Sequence, residues 1–113
     1  MKTVTMRPSF QGDLMIRRIM ALPENVRVGD REGGHHILAH SETGHHHVVD
    51  ANLADRFIDQ MNEFISYLSV SSDVEIEHLR SFDTHDPLLL TPGVYEVRRQ
   101  REYVPEGFRR VED

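Results

Sequence analysis

His35-His36-Ile37-Leu38-Ala39-His40-Ser41-Glu42-Thr43-Gly44-His45-His46-His47-Val48-Val49-Asp50 is the stretch whose reading decides the fold. It holds six of the chain's eight histidines. Two short runs carrying β-branched and apolar residues flank Ser41-Glu42-Thr43-Gly44. A four-residue loop ending in glycine suits a type I turn closed by a residue at positive φ. The stretch is therefore expected to be a β-hairpin. Side chains alternate along a strand, so His36, Leu38 and His40 share one face with His45, His47 and Val49.

In a direct pairing His40 lies opposite His45, with Cβ atoms roughly 4.5–5.5 Å apart, and His47 sits one step along. Three imidazoles then converge, with Glu42 above them in the loop. Neutral imidazole ligates divalent transition metals, which makes Zn, Fe, Ni or Cu the expected cofactor. His85, from distant sequence, is the expected fourth ligand beside His40, His45 and His47. If the site is catalytic, Glu42 is the candidate general base, and an open metal position permits hydrolysis or oxygen chemistry. A bulge at Gly44 would shift the register and remove His40 from the set. The competing expectation is a polar network that fastens the loop without metal, or a solvated surface.

Composition narrows the classes. With 113 residues the chain is one domain, 1–113, with a modest core. Hydrophobic residues make up 38%, mean hydropathy is −0.50 and Trp is absent, which suggests a homo-oligomer, a homodimer first. A net charge of −6 argues against a nucleic-acid phosphate binder. Protonating all eight histidines would reverse the sign of that charge. The absence of cysteine excludes disulfides and thiolate metal sites. No run approaches transmembrane length and no signal-like apolar region opens the chain, so a soluble, cytoplasmic protein is expected.

Along the chain, Met1–Met6 is a weak edge strand and Arg7–Asp13 a turn punctuated by Pro8 and Gly12. Leu14–Met20 reads as a strand, and Val26–Gly34 as a loop or short strand. Between residues 52 and 68 the pattern changes. Leu53, Phe57, Met61, Phe64, Ile65 and Leu68 recur at helical spacing, with Asn52 as N-cap, and predict one amphipathic helix. Ser71-Ser72-Asp73 is a turn before a strand from Val74 to Arg80. Leu88–Leu90 is a buried run, Thr91-Pro92-Gly93 a tight turn, and Val94–Val104 the longest strand, ahead of a polar tail. Arg98, Arg99 and Arg101 could bind an anion, but Glu96 and Glu102 flank them, so cross-strand salt bridges are their expected role.

Several segments together resemble a family of small uncharacterised bacterial proteins, often in phage or prophage settings. They are Gln11-Gly12-Asp13-Leu14, Leu22-Pro23, Leu38 through His47, and His85 through Pro92-Gly93-Val94-Tyr95 to Gln100-Arg101-Glu102-Tyr103. The resemblance implies a histidine pair before the Pro-Gly turn, of which His85 matches the later member and His78 stands nearest to the earlier. A second resemblance is to cupins, through His45-x-His47 and Pro92-Gly93-Val94-Tyr95, and implies a jelly-roll-like architecture. The expectation is thus a mainly β (α+β) domain, a small sandwich or barrel with one amphipathic helix. Its expected function is divalent-metal binding. The alternatives are a phage-associated interaction module with an unidentified protein partner, and a small cupin-like metal-dependent enzyme.

Overall fold

The computed structural model describes residues 1–39, 46–78, 87–104 and 107–110, with only the backbone of His78 and of residues 101–104 and 107–110. Thirteen strands follow one another: β1 (Lys2–Thr3), β2 (Ser9–Gln11), β3 (Leu14–Ile19), β4 (Val26–Val28), β5 (His35–Ala39), β6 (His47–Asp50) and β7 (Ala54–Asp59) come first. The rest are β8 (Ile65–Val70), β9 (Val74–His78), β10 (Leu88–Leu90), β11 (Gly93–Arg99), β12 (Arg101–Val104) and β13 (Gly107–Arg110). One five-stranded sheet has the order β1-β10-β9-β6-β5, and a six-stranded sheet the order β2-β3-β11-β8-β7-β4. β12 and β13 form a separate antiparallel pair, where the sequence suggested a polar tail after residue 107. The two larger sheets are open, so the barrel expectation does not hold.

The sheets share one core. From the six-stranded sheet it takes Leu14, Ile16, Tyr95, Val97, Leu68, Val70 and Ala54. From the other it takes Leu38, Ala39, Val49, Val74, Ile76, Leu88 and Leu90. Register explains the selection, because directly paired residues point to the same face. Val97 pairs with Ile16 and Ser66, and Tyr95 with Leu68. Ile76 pairs with Leu88, and Val74 with Leu90.

The predicted hairpin forms. His35 pairs with Asp50, His36 with Val49 and Ile37 with Val48. The register then shifts between Ile37 and Ala39, which pairs with His47. The bulge falls at Leu38 and lets two consecutive residues, Leu38 and Ala39, both turn into the core. In the β2–β3 hairpin, Gly12 adopts φ 59°, the left-handed conformation that glycine reaches without a Cβ penalty. Gln11 thereby pairs with Leu14 and lands on its core-facing side.

The helix expected over 52–68 is absent; the segment is the β7–β8 hairpin, and no helix occurs among the described residues. None is therefore long and apolar enough to cross a membrane. Two local features oppose the helix. The Asp59 carboxylate accepts from the Met61 and Asn62 backbone N–H groups, and the Asn62 side chain accepts from Phe64 N–H. Such side-chain bonds favour a turn over a continuous helix. The strands on either side gain partners in β4 and β11, so tertiary pairing outweighs the helical spacing. Leu68 is fully buried, whereas Met61, placed by the helix reading on the same apolar stripe, is 85% exposed at the turn.

That difference is measurable. Leu68→Ala should cost about 2–5 kcal/mol in urea denaturation, the range for a large-to-small core change. Met61→Ala should stay within about 0.5 kcal/mol of the parent, as exposed substitutions do. Comparable losses at both positions would restore the helical stripe.

Candidate functional site

The hairpin histidines divide by face. His35 is exposed and His46 half-buried, whereas His36 and His47 lie on the core-facing side at 2% and 3% exposure. Neither buried ring is left among apolar groups alone. His36 Nε2 donates to the Ala54 carbonyl at 2.9 Å and so ties β5 to β7 of the other sheet. Its Nδ1 is buried without a hydrogen-bond partner, which fits a neutral ring protonated on Nε2.

His47 reaches across the core to the β2–β3 hairpin. Its Nδ1 lies 2.8 Å from Gln11 Oε1. Gln11 Nε2 in turn donates to the Ile76 carbonyl at 3.0 Å. With the amide nitrogen committed to a carbonyl, the amide oxygen faces the ring, so Nδ1 carries the proton and donates. Nε2 is thereby aimed at Asp13, whose Oδ1 stands 3.5 Å away. Both groups are nearly enclosed, at 4% and 10% side-chain exposure. On the far side of the carboxylate, Arg99 Nε lies 3.8 Å from Oδ2. The Gln100 backbone N–H donates to the Asp13 carbonyl at 2.9 Å and holds the turn in place.

A bare imidazole nitrogen and a carboxylate oxygen are both acceptors, so this contact is favourable only with a cation between them. A proton serves and makes the pair an ion pair; a metal ion serves equally. With His47 Nε2 protonated, its bond to the carboxylate holds the Asp13 carboxyl below the usual carboxylate range. Burial acts against that effect, and the positive charges of His47 and Arg99 add to it.

Glu96 forms the second carboxylate centre, on the opposite face of the six-stranded sheet. Arg17, its register partner, donates from Nε at 2.9 Å, and Arg98 lies at 3.3 Å. Burial opposes the charge on Glu96, but the hydrogen bonds from Arg17 and Arg98 outweigh it and keep the pKa low. Arg98 pairs with Glu96 along its own strand, whereas the cross-strand partner of Glu96 is Arg17. Arg101 is described by backbone alone.

Of the predicted ligands, His47 alone lies among the described residues. His40, His45 and His85, together with Glu42, lie outside the described residues. His78, the candidate companion of His85, is the register partner of His47 on the neighbouring strand. Among the described residues no group of three His, Asp or Glu side chains is arranged to hold a metal ion.

Gln11 and Asp13 are the partners of His47 that sequence reasoning missed. The signal was present in Gly12, because a tight hairpin there places Gln11 opposite Leu14 and so inside. The Asp13 ion pair makes stability depend on acid. Its folded pKa lies below the unfolded value, so its contribution is present above the ordinary carboxylate range. It is lost as pH falls through the folded pKa. The stability gap between the parent and Asp13→Asn should therefore shrink as pH falls through the acid range toward pH 2. Melting temperatures across that range check it; a gap independent of pH contradicts the pairing.

A family model described as Domain of unknown function (DUF8820) matches residues 10–100. That span includes the β2–β3 hairpin, the histidine-rich stretch and β11. No curated protein and no solved structure matches the chain.

Proposed function

The chain belongs to the DUF8820 family, matched over residues 10–100, and we propose that it is a divalent-metal-binding β-sandwich domain centred on His47 and Asp13. One observation carries this reading: His47 Nδ1 is tied to a fixed Gln11 amide, which leaves Nε2 directed at a buried carboxylate oxygen 3.5 Å away. Metal-bound histidines characteristically donate their other ring N–H to such an outer partner, which fixes tautomer and orientation. The separation also fits. Ligands at about 2.0–2.2 Å from a tetrahedral ion stand roughly 3.3–3.6 Å apart. That is long for a charge-assisted hydrogen bond, which is typically about 2.7–2.9 Å.

His47 and Asp13 supply one imidazole and one carboxylate. Two of His40, His45 and His85 are the ligands assigned to complete a tetrahedral shell. This donor set of nitrogen and oxygen suits Zn, Fe, Ni or Cu. Should an open position hold water, Glu42 is the general base assigned to it.

A second reading has its own support in Arg99. With Nε2 protonated, the His47–Asp13–Arg99 chain is a buried ion network that fastens the two sheets and leaves the hairpin free for a protein partner. Untagged protein, analysed for bound metal and titrated with Zn, separates the two. The metal reading expects near-stoichiometric binding, abolished in His47→Ala, weakened at least about tenfold in Asp13→Asn and unchanged in His46→Ala. Binding that survives in His47→Ala, or that depends equally on His46, would mean that histidine density alone is responsible. No binding at all leaves the ion network.

A further inference from the structure

At the end of the core away from β1, the inner face of the six-stranded sheet becomes cationic. Register places the residues there. Val97 pairs with Ser66, Ser66 with Ile58, and Ile58 with Arg27; Arg56 pairs with Leu68. Arg27, Arg56 and Ile58 thus point to the same side as the fully buried Leu68. Arg99, two residues beyond Val97 on β11, shares that side. Cationic side chains on the core-facing side of a sheet demand partners.

Arg56 is only partly supplied. Its Nε is buried and makes no hydrogen bond. Burial, then the positive charge of Arg27, lowers its pKa, and Asp30 offsets this only in part. The side chain is nonetheless closely seated. Gly29 N–H donates to the Arg56 carbonyl at 2.8 Å, and a Cβ at Gly29 would stand 3.2 Å from Arg56 Cγ. Two guanidinium groups facing the same side, one of them desolvated and incompletely bonded, cost stability that an anion would recover.

A cleft opens at this point between the inner faces. It measures about 270 Å³ and runs between edge strand β5 and the β4–β7–β8 side of the other sheet. Its apolar wall is Ile37, Leu38, Ile58 and Phe64, and its charged lining is Arg27, Arg56 and Arg99 with the single carboxylate Glu63. The volume lies just below the usual small-molecule range of about 300–1,000 Å³, so the ligand that fits is a small one. A guanidinium fork matches carboxylate and phosphate oxygens in pairs.

We propose that this cleft binds a small organic anion, its carboxylate or phosphate paired with Arg56 and Arg27 and its apolar body against Ile37, Ile58 and Phe64. The site is separate from the His47–Asp13 pair, although Arg99 borders both. Its recognition chemistry does not depend on whether a metal is bound there.

Calorimetric titration of the full chain with benzoate, phenyl phosphate, inorganic phosphate and benzyl alcohol tests it. Benzoate or phenyl phosphate should bind saturably, and at least about tenfold more tightly than inorganic phosphate or benzyl alcohol. Whichever of the two aromatic anions wins identifies the head group. Arg56→Gln should weaken that binding at least about tenfold while leaving the unliganded melting temperature equal or higher, because it removes a buried charge. Arg27→Gln, at an exposed edge position, should weaken it without unfolding the protein. Equal binding of benzyl alcohol would reduce the cleft to an apolar pocket and overturn the proposal. So would saturable binding retained in both arginine variants, or no binding of either aromatic anion by the folded parent.

Discussion

The bond from His47 Nδ1 to Gln11 Oε1, continued by Gln11 Nε2 to the Ile76 carbonyl, is the constraint on which the rest of the structure depends. Its three residues come from β6, β2 and β9, so it starts in one sheet, enters the other and returns. A small core shared by two open sheets has little apolar area with which to fix their relative position. Polar groups on the inner faces supply direction that apolar contact lacks, provided each finds its partner. His36, bonded to the Ala54 carbonyl, makes a second crossing at the other edge of the hairpin. The bulge at Leu38 serves both, since it lets Leu38 and Ala39 turn inward between the two rings.

The same relay has a chemical consequence. Once Gln11 has fixed the ring, Nε2 and Asp13 are committed to facing each other, and whatever sits between them must be positive. A proton gives a structural ion pair and a metal ion gives a site. The scaffold is the same in both cases, which is why a histidine that fastens two sheets is also well placed to ligate. Metal ligands and structural ties share the requirement for a buried, orientated imidazole. Arg99 joins this region to the cationic cleft, so the polar chemistry of the described core runs as one band along the inner face of the six-stranded sheet.

Much of the fold was legible in the residues. The hairpin of β5 and β6 followed from alternation around Ser41-Glu42-Thr43-Gly44, and the turns at Ser71-Ser72-Asp73 and Pro92-Gly93 followed from their residue types. The β7–β8 hairpin did not, for a definite reason. Leu53, Phe57, Phe64 and Leu68 fall at helical spacing, and only the pairing of β7 with β4 and of β8 with β11 shows that strands are favoured. Asp59 and Asn62 carried the local warning. At the site, His47 was legible because His-x-His on a strand points both rings one way. Its partners Gln11 and Asp13 were not, because their contact spans more than thirty residues of chain and joins different sheets. The inward arginines were hidden likewise: Arg27 and Arg56 face the core only in the register that the β4–β7 and β7–β8 pairings impose.

A double-mutant cycle between His47 and Gln11 tests most directly whether the relay crosses the core. Stabilities of the parent, His47→Phe, Gln11→Leu and the double variant, measured by urea denaturation at pH 7, give the coupling energy. A buried hydrogen bond across the sheets predicts a coupling of about 1 kcal/mol or more, with the double variant less destabilised than the sum of the singles. Additivity within about 0.3–0.5 kcal/mol would show that the two side chains do not interact, and would contradict the account.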